Sequence, residues 1–326
     1  MKHQYIERSS GEVITEQLLG DRMVRLLYDR VRENSTSLFR LLTSAWSSTV
    51  LAAVNFDRPL LDSAAFAAQC GIDLSDCLER PEYLTTARAI FERKIRYETS
   101  RPMPGDPAAV VSPADARVLV GSLRQQSLLQ IKGCFFSVEE LLGKQEWNER
   151  FHSGDSAVCR LTPDKYHYNH TPVAGRVVDH YGVDGCYHSC NPVAVVREVT
   201  PFSKNKRVVT IIDTDVEQGS RVGLVAMIEV VALMIGDIVQ AYSRQGYADP
   251  LELQIGMLLE KGQPKSLYRP GSSTDILLFE PGRIRFCDDL LHNQQRCNVQ
   301  SRFSQGFGRP LVETDIRVRS HLATRI

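Results

Sequence analysis

The chain has 326 residues, 43% hydrophobic and 24% charged, an ordinary globular composition that excludes disordered, collagen-like and coiled-coil chains. Its 39 Lys and Arg balance 39 Asp and Glu, so there is no global basic field for phosphates and no nucleic acid partner is expected. Eight scattered cysteines are too few for a disulfide scaffold and are read as reduced thiols.

The opening MKHQYIERSSGEVITEQ has no apolar run after its first basic residues, so a secretory signal is not expected and the expected location is the cytoplasm or the cytosolic face of a membrane. From there to residue 107 the spacing favours helices. Gly20-Asp21 opens a run with Met23, Val24, Leu26, Leu27 and Val31, and Leu60 to Cys70 and Tyr83 to Ile95 repeat the pattern. Ser37 to Phe56 carries Arg40 as its one charge, but its Ser and Thr content makes it too polar to span a bilayer. Leu38, Leu41, Leu42, Ala45, Trp46 and Ala53 fall near helical spacing, which leaves two readings: a helix packed on its own domain, or one lying on a membrane surface.

Arg101 to Pro107 is a Pro- and Gly-rich linker, and short strands follow: Ala116 to Val120, Ser156 to Leu161, Gly175 to Val178, Arg207 to Ile212, Val222 to Val231 and Asp275 to Phe279. Ser137 and Glu140 form a capping box for a helix ending at Leu142. The last 30 residues hold five Arg against Glu313 and Asp315. The expected fold class is α+β, with a helical region over 1–107, a β-rich core over 108–296 and a basic tail over 297–326.

Four segments carry possible chemistry. Arg269-Pro270-Gly271-Ser272-Ser273-Thr274-Asp275 feeds an apolar strand; it is either a plain turn or a strained one whose serine attacks the preceding carbonyl. Tyr166-His167-Tyr168-Asn169-His170-Thr171-Pro172-Val173-Ala174-Gly175 sets two proton-handling histidines three apart. No zinc-like ligand spacing accompanies them, so no metal is expected. Ser112-Pro113-Ala114-Asp115 puts a carboxylate at the mouth of a strand, where it either makes an Asx turn or orients a histidine. Glu229 to Tyr242 reads as buried strand interrupted by Gly236-Asp237, a place where a backbone or ligand can approach closely.

In this order the segments resemble the phosphatidylserine decarboxylase family, pyruvoyl enzymes that form by self-cleavage. Ser112-Pro113-Ala114-Asp115 is similar to its SPADG motif and Tyr166 to His170 to its YHRFH motif. Phe91-x-Arg93-Lys94, Arg101-Pro102, Ile131-Lys132-Gly133, Asn191-Pro192-Val193-Ala194, Lys204-Asn205-Lys206-Arg207 and Glu229-Val230 also fit, from about Tyr5 to Phe286. The resemblance implies cleavage between Ser272 and Ser273, with Gly271 to Ser272 as the other register. A one-residue shift would reverse the strand's alternation, which favours Ser273.

The roles implied are Ser273 as nucleophile and pyruvoyl precursor, His170 as its general base oriented by Asp115, and His167 as a later proton carrier in decarboxylation. The ketone would take the substrate amine as a Schiff base and act as electron sink when carbon dioxide leaves. The implied reaction is phosphatidylserine to phosphatidylethanolamine by a peripheral membrane enzyme, as a homodimer. Departures from the family pattern touch the substrate side: Ser272 replaces glycine, Asp237 replaces serine beside Gly236, and Asp275 replaces an apolar residue. The two extra carboxylates raise an alternative, decarboxylation of a soluble amino acid, and the missing glycine raises another, an uncleaved relative acting as a binding protein.

Overall fold

A computed structural model of the chain describes residues 2–18, 20–123, 135–233, 237–270 and 273–326. Within them the strands are β1 (Gln4–Glu7), β2 (Val13–Thr15), β3 (Ala109–Val111), β4 (Ala116–Ser122), β5 (Asp155–Leu161), β6 (Tyr168–His170), β7 (Gly175–Val183), β8 (Arg207–Asp213), β9 (Leu224–Val230), β10 (Ile238–Gln240), β11 (Leu258–Leu259), β12 (Pro264–Tyr268), β13 (Ser273–Phe279), β14 (Ile284–Phe286), β15 (Thr314–Ile316) and β16 (His321–Arg325). The architecture is α+β, as expected. Ten strands form one sheet in the order β11-β7-β8-β9-β13-β5-β4-β15-β1-β2; β10-β12-β6 and β14-β16-β3 form two small ones.

β13 lies inside the large sheet, antiparallel to β5 on one side and β9 on the other. All seven of its residues are buried, as its run of Ile276, Leu277, Leu278 and Phe279 requires of a strand covered on both faces. Leu277 and Phe279 share a core with Val177, Met227, Ile238 and Tyr268. Ile276 and Leu278 face the opposite core, with Leu119, Val158, Phe202 and Phe303. Because side chains alternate along a strand, Ser273 and Asp275 look toward the first core and Thr274 toward the second. The small β10-β12-β6 sheet supplies Ile238 and Tyr268 to that first core.

Helices cover the second face. Ser137 accepts a hydrogen bond from the Glu140 N–H at 3.3 Å and caps the helix Val138–Leu142, as the capping motif predicts. In the N-terminal region the helices are shorter than the spacing predicts: Tyr83 to Ile95 is α-helical over Ala87–Phe91, and Ile95 pairs with Cys77 as a β-bridge.

Both chain ends also differ from expectation. β1 and β2 extend the large sheet, and β15 sits between β4 and β1. Arg160 of β5 is the reason: it donates to Glu313 at 2.9 and 2.6 Å and to Glu16 at 3.0 and 2.7 Å, and His3 Nε2 lies 2.8 Å from Glu313. A fully buried guanidinium needs such partners, and they come from the first 16 residues and from the segment expected as a tail. Burial opposes charge on Glu313, but Arg160 holds its carboxyl down at about 2.

Candidate active site

Ser273 opens β13 opposite Leu161, and its Oγ is buried with no hydrogen-bond partner among the described residues. Gly271 and Ser272, which belong to the two expected cleavage registers, lie outside the described residues, as do Gly236 and the Ile131-Lys132-Gly133 motif.

The approach to Ser273 is β12, and β6 runs beside it. Tyr168 pairs with Leu267, Asn169 with Ser266 and His170 with Pro264, and the Tyr268 N–H donates to the His167 carbonyl at 3.0 Å. His167 therefore stands where β12 turns toward residue 273, and His170 stands three residues back, about 10 Å away along the strand. The His167 ring is fully buried, packs on Phe91 with centroids 5.1 Å apart, and has Nδ1 2.9 Å from the Lys165 carbonyl. Arg93 fixes the loop ahead of it by donating to the carbonyls of Ile90, Asp164 and Lys165. The Phe91-x-Arg93 motif thus buttresses the first histidine.

His170 is also fully buried. Its Nδ1 lies 2.8 Å from the Gly262 carbonyl, which only accepts, so the proton is on Nδ1. Its Nε2, at 3.0 Å, then accepts from the Tyr166 hydroxyl, and Tyr247 donates in turn to Tyr166 at 2.7 Å. Burial pushes the His170 pKa down to about 3, so the ring is neutral at physiological pH.

Asp115 does not orient His170 by a hydrogen bond, contrary to expectation. Its oxygens accept from Arg101 Nε at 3.0 and 3.3 Å, from Arg101 Nη2 at 2.8 Å and from the Val318 N–H at 2.8 Å. A planar guanidinium satisfies a buried carboxylate with two parallel donors, and the single N–H of an imidazole cannot match that. Burial opposes the charge, but Arg101 holds the Asp115 carboxyl below its ordinary range. Asp115 reaches His170 through its charge alone.

The two extra carboxylates part company. Asp237 is a rim residue, with its side chain 60% exposed and 3.8 Å from Lys206 Nζ, and its carbonyl accepts from the Arg269 N–H at 3.2 Å. Asp275 is completely buried, paired across the ladder with Glu229 and 2.7 Å from the Tyr268 hydroxyl. Burial, and then the Glu229 charge, push the Asp275 carboxyl well above the carboxylate range.

Glu229 keeps its charge because Lys265 Nζ lies 2.6 Å away, with Gln240 Nε2 at 3.1 Å and Ser266 Oγ also donating; that ammonium outweighs the burial penalty. Sequence reasoning met Glu229 only as part of a family-like segment in a buried strand and gave no role to Lys265 or Tyr268. A lysine in Pro-Lys-Ser-Leu-Tyr carries no local mark of burial.

The sequence pattern described as phosphatidylserine decarboxylase matches residues 87–305. The phosphatidylserine decarboxylase proenzyme of Fusobacterium nucleatum is 26% identical over 310 residues, 94% of this chain and 96% of that protein. That of Chlamydia muridarum is 33% identical over 227 residues, 69% and 70% of the two chains, and that of Chlamydia trachomatis serovar D is 29% identical over 316 residues, 94% and 96%. With a family match over two thirds of its length and relatives collinear over nearly all of it, the chain belongs to the phosphatidylserine decarboxylase family, a family of carboxy-lyases.

Proposed function

We propose that the chain is a self-processing proenzyme that cuts itself before Ser273 and converts phosphatidylserine to phosphatidylethanolamine and carbon dioxide, with a pyruvoyl group made from Ser273 as its cofactor. The observation that carries this is the Ser273 Oγ: a buried hydroxyl without a partner among the described residues, at the first position of a central strand that is approached by β12, itself hydrogen-bonded to the segment of the buried His167 and His170. A structural serine in such a place would be hydrogen-bonded. An unpaired one is free to act as a nucleophile, and its later loss leaves no broken bond. The resulting ketone supplies an electrophile for the substrate amine and a sink for the electron pair left by carbon dioxide.

The chain's own residues divide the proton work by position. His167 adjoins the segment to be cut, so it is assigned the Ser273 Oγ proton during attack on the carbonyl of residue 272, and later proton handling at residue 273. His170 is neutral and engaged at both nitrogens; it serves as a packed support tied to Tyr166 and Tyr247, with the Asp115 charge behind it.

A lipid substrate is favoured over a soluble amino acid by the surface leading to this site. The helices Thr36–Leu42 and Ala45–Phe56 meet at 55°, and among the described residues no single helix is long and apolar enough to cross a membrane. They expose Leu38, Leu41, Trp46, Val50 and Val54, with Trp46 70% exposed. Such a stripe suits the headgroup boundary of a bilayer. At the far end of the second helix Phe56 packs on Phe91 with centroids 5.2 Å apart, and Phe91 packs on His167. The lipid-facing helix and the assigned base are thus joined by one aromatic contact chain.

Intact mass spectrometry of the purified protein tests this. Two chains are expected, the smaller beginning at residue 273 with a pyruvoyl mass, and phosphatidylserine vesicles should be decarboxylated while free serine is not. A single full-length chain, unchanged on prolonged incubation, would overturn it in favour of a binding protein.

A further inference from the structure

Asp275 departs from the family pattern and is completely buried. It lies two residues after Ser273 on the same face of β13, about 7 Å along the strand. Its Oδ1 meets the Tyr268 hydroxyl at 2.7 Å, and its Oδ2 is buried with no partner among the described residues. The groups facing it are Glu229 across the ladder on β9, Cys159 across the ladder on β5, and Tyr268 and Lys265 from β12. Lys265 is committed to Glu229 and Gln240. Among the described residues the charged groups around Asp275 are therefore one further carboxyl and one ammonium, and the ammonium serves that other carboxyl.

We propose, on the processing described above, that Asp275 is the general acid of this site, giving its Oδ2 proton to the oxygen that leaves when the substrate amine joins the ketone at residue 273. The amine nitrogen adds to the carbonyl carbon and passes one of its protons to the carbonyl oxygen, leaving a hydroxyl; the nitrogen lone pair then forms the carbon–nitrogen double bond as the carbon–oxygen bond breaks with its electron pair on oxygen. The Oδ2–H bond breaks, its proton passes to that oxygen, and water departs. The carboxylate left behind faces the newly cationic nitrogen, which offsets its burial. When water later cleaves the carbon–nitrogen bond to release the product amine, the steps reverse and the acid is restored. A carboxyl kept neutral by an apolar, like-charged setting is suited to such donation, and burial together with the Glu229 charge keeps Asp275 neutral.

The test uses the purified full chain as wild type, D275N and D275L. Because the family pattern places an apolar residue here, both variants should still cut before residue 273. Cut protein is incubated with ethanolamine and cyanoborohydride, and intact mass follows the small chain carrying the reduced amine; the variants should be trapped roughly 100-fold more slowly. Infrared spectra of protein carrying ¹³C-labelled aspartate should show a protonated carboxyl band at neutral pH in wild type and in neither variant.

Trapping at the wild-type rate in both variants, or absence of that band from wild type, overturns the proposal. So does failure of both variants to cut, because the carboxyl would then belong to processing. An uncut wild-type chain overturns the processing itself, whereas a wild type that cuts and traps amine while the variants match it overturns only the role of Asp275.

Discussion

Replacing Arg101 by Met separates two views of Asp115, as the carboxylate of a Ser-His-Asp relay or as half of an ion pair. Three contacts of 2.8 to 3.3 Å disappear, and a carboxylate 6% exposed keeps only the Val318 N–H. Breaking a buried pair from one side destabilises by about 3–5 kcal/mol. Protonating the orphaned carboxyl at pH 7, three units above its ordinary pKa, limits the loss to about 4 kcal/mol. The assay is urea unfolding at pH 7 in an S273A background, where the chain stays single, with R101M, D115N and the double variant closing a cycle.

A coupling of roughly 2–3 kcal/mol is expected between the two positions. Asp115 has its folded pKa depressed, so its contribution is fully present above the unfolded value near 3.9 and lost as pH falls through the folded one; R101M should flatten that acid limb. A coupling below about 1 kcal/mol, with a larger one between Asp115 and His170, would refute the ion-pair assignment.

Ser273→Ala should abolish cutting, seen as one full-length mass, while changing stability by less than about 1 kcal/mol, since the lost Oγ has no partner among the described residues; a large destabilisation would mean the hydroxyl is structural. The triple variant W46E/V50E/V54E should cut normally but sediment with phosphatidylserine-containing vesicles at least tenfold less than wild type; equal sedimentation would remove these helices from membrane contact. His170 should also mark the pH profile of unfolding. Its folded pKa of about 3 lies below the ordinary 6.5, so the unfolded chain takes up the proton first and stability falls as pH drops from about 6.5 to 3. H170Q in the S273A background should lose that slope, and an unchanged slope would assign it elsewhere.

What the sequence discloses is what short-range spacing controls. Ile276 to Phe279 can only be a buried strand, and the Ser137 cap sits three residues before its acceptor's partner, so both are legible. That His167 and His170 lie along the approach to Ser273 follows the order of the motifs, since β6 pairs with β12, which leads into β13. Their partners are not legible in this way. Arg101 reaches Asp115 from 14 residues away around a proline-rich linker, and Tyr247 reaches His170 only through Tyr166, from 81 residues further along the chain, which leaves no periodic trace. Charge counting misled at the C-terminus because it averaged: Glu313 is one acid among arginines, yet it is the residue that Arg160 draws into the interior. It misled again at Asp237 and Asp275, which count alike as extra carboxylates but differ completely in burial, because one lies just before β10 with its side chain exposed and the other points inward from β13.

The proposed position of the cut would let such a protein survive its own cleavage. Everything from residue 273 onward would become a separate chain, but its first strand pairs with β5 through seven residues and with β9 through six, all in the part that precedes the cut. β15 pairs with β1 and β4, β16 pairs with β3, and Glu313 is held by Arg160 and His3. The small chain also carries eight Arg and six acids, so it is formally +2 and its partner −2. Such a cut would free one chain end for chemistry while β-ladders, a buried ion pair and net charge retained the fragment. The two chains should co-elute as one species on native size exclusion, also in 1 M salt, and separate only at the urea concentration that unfolds the sheet. Separation by salt alone would show that charge, and not the interleaved sheet, holds them.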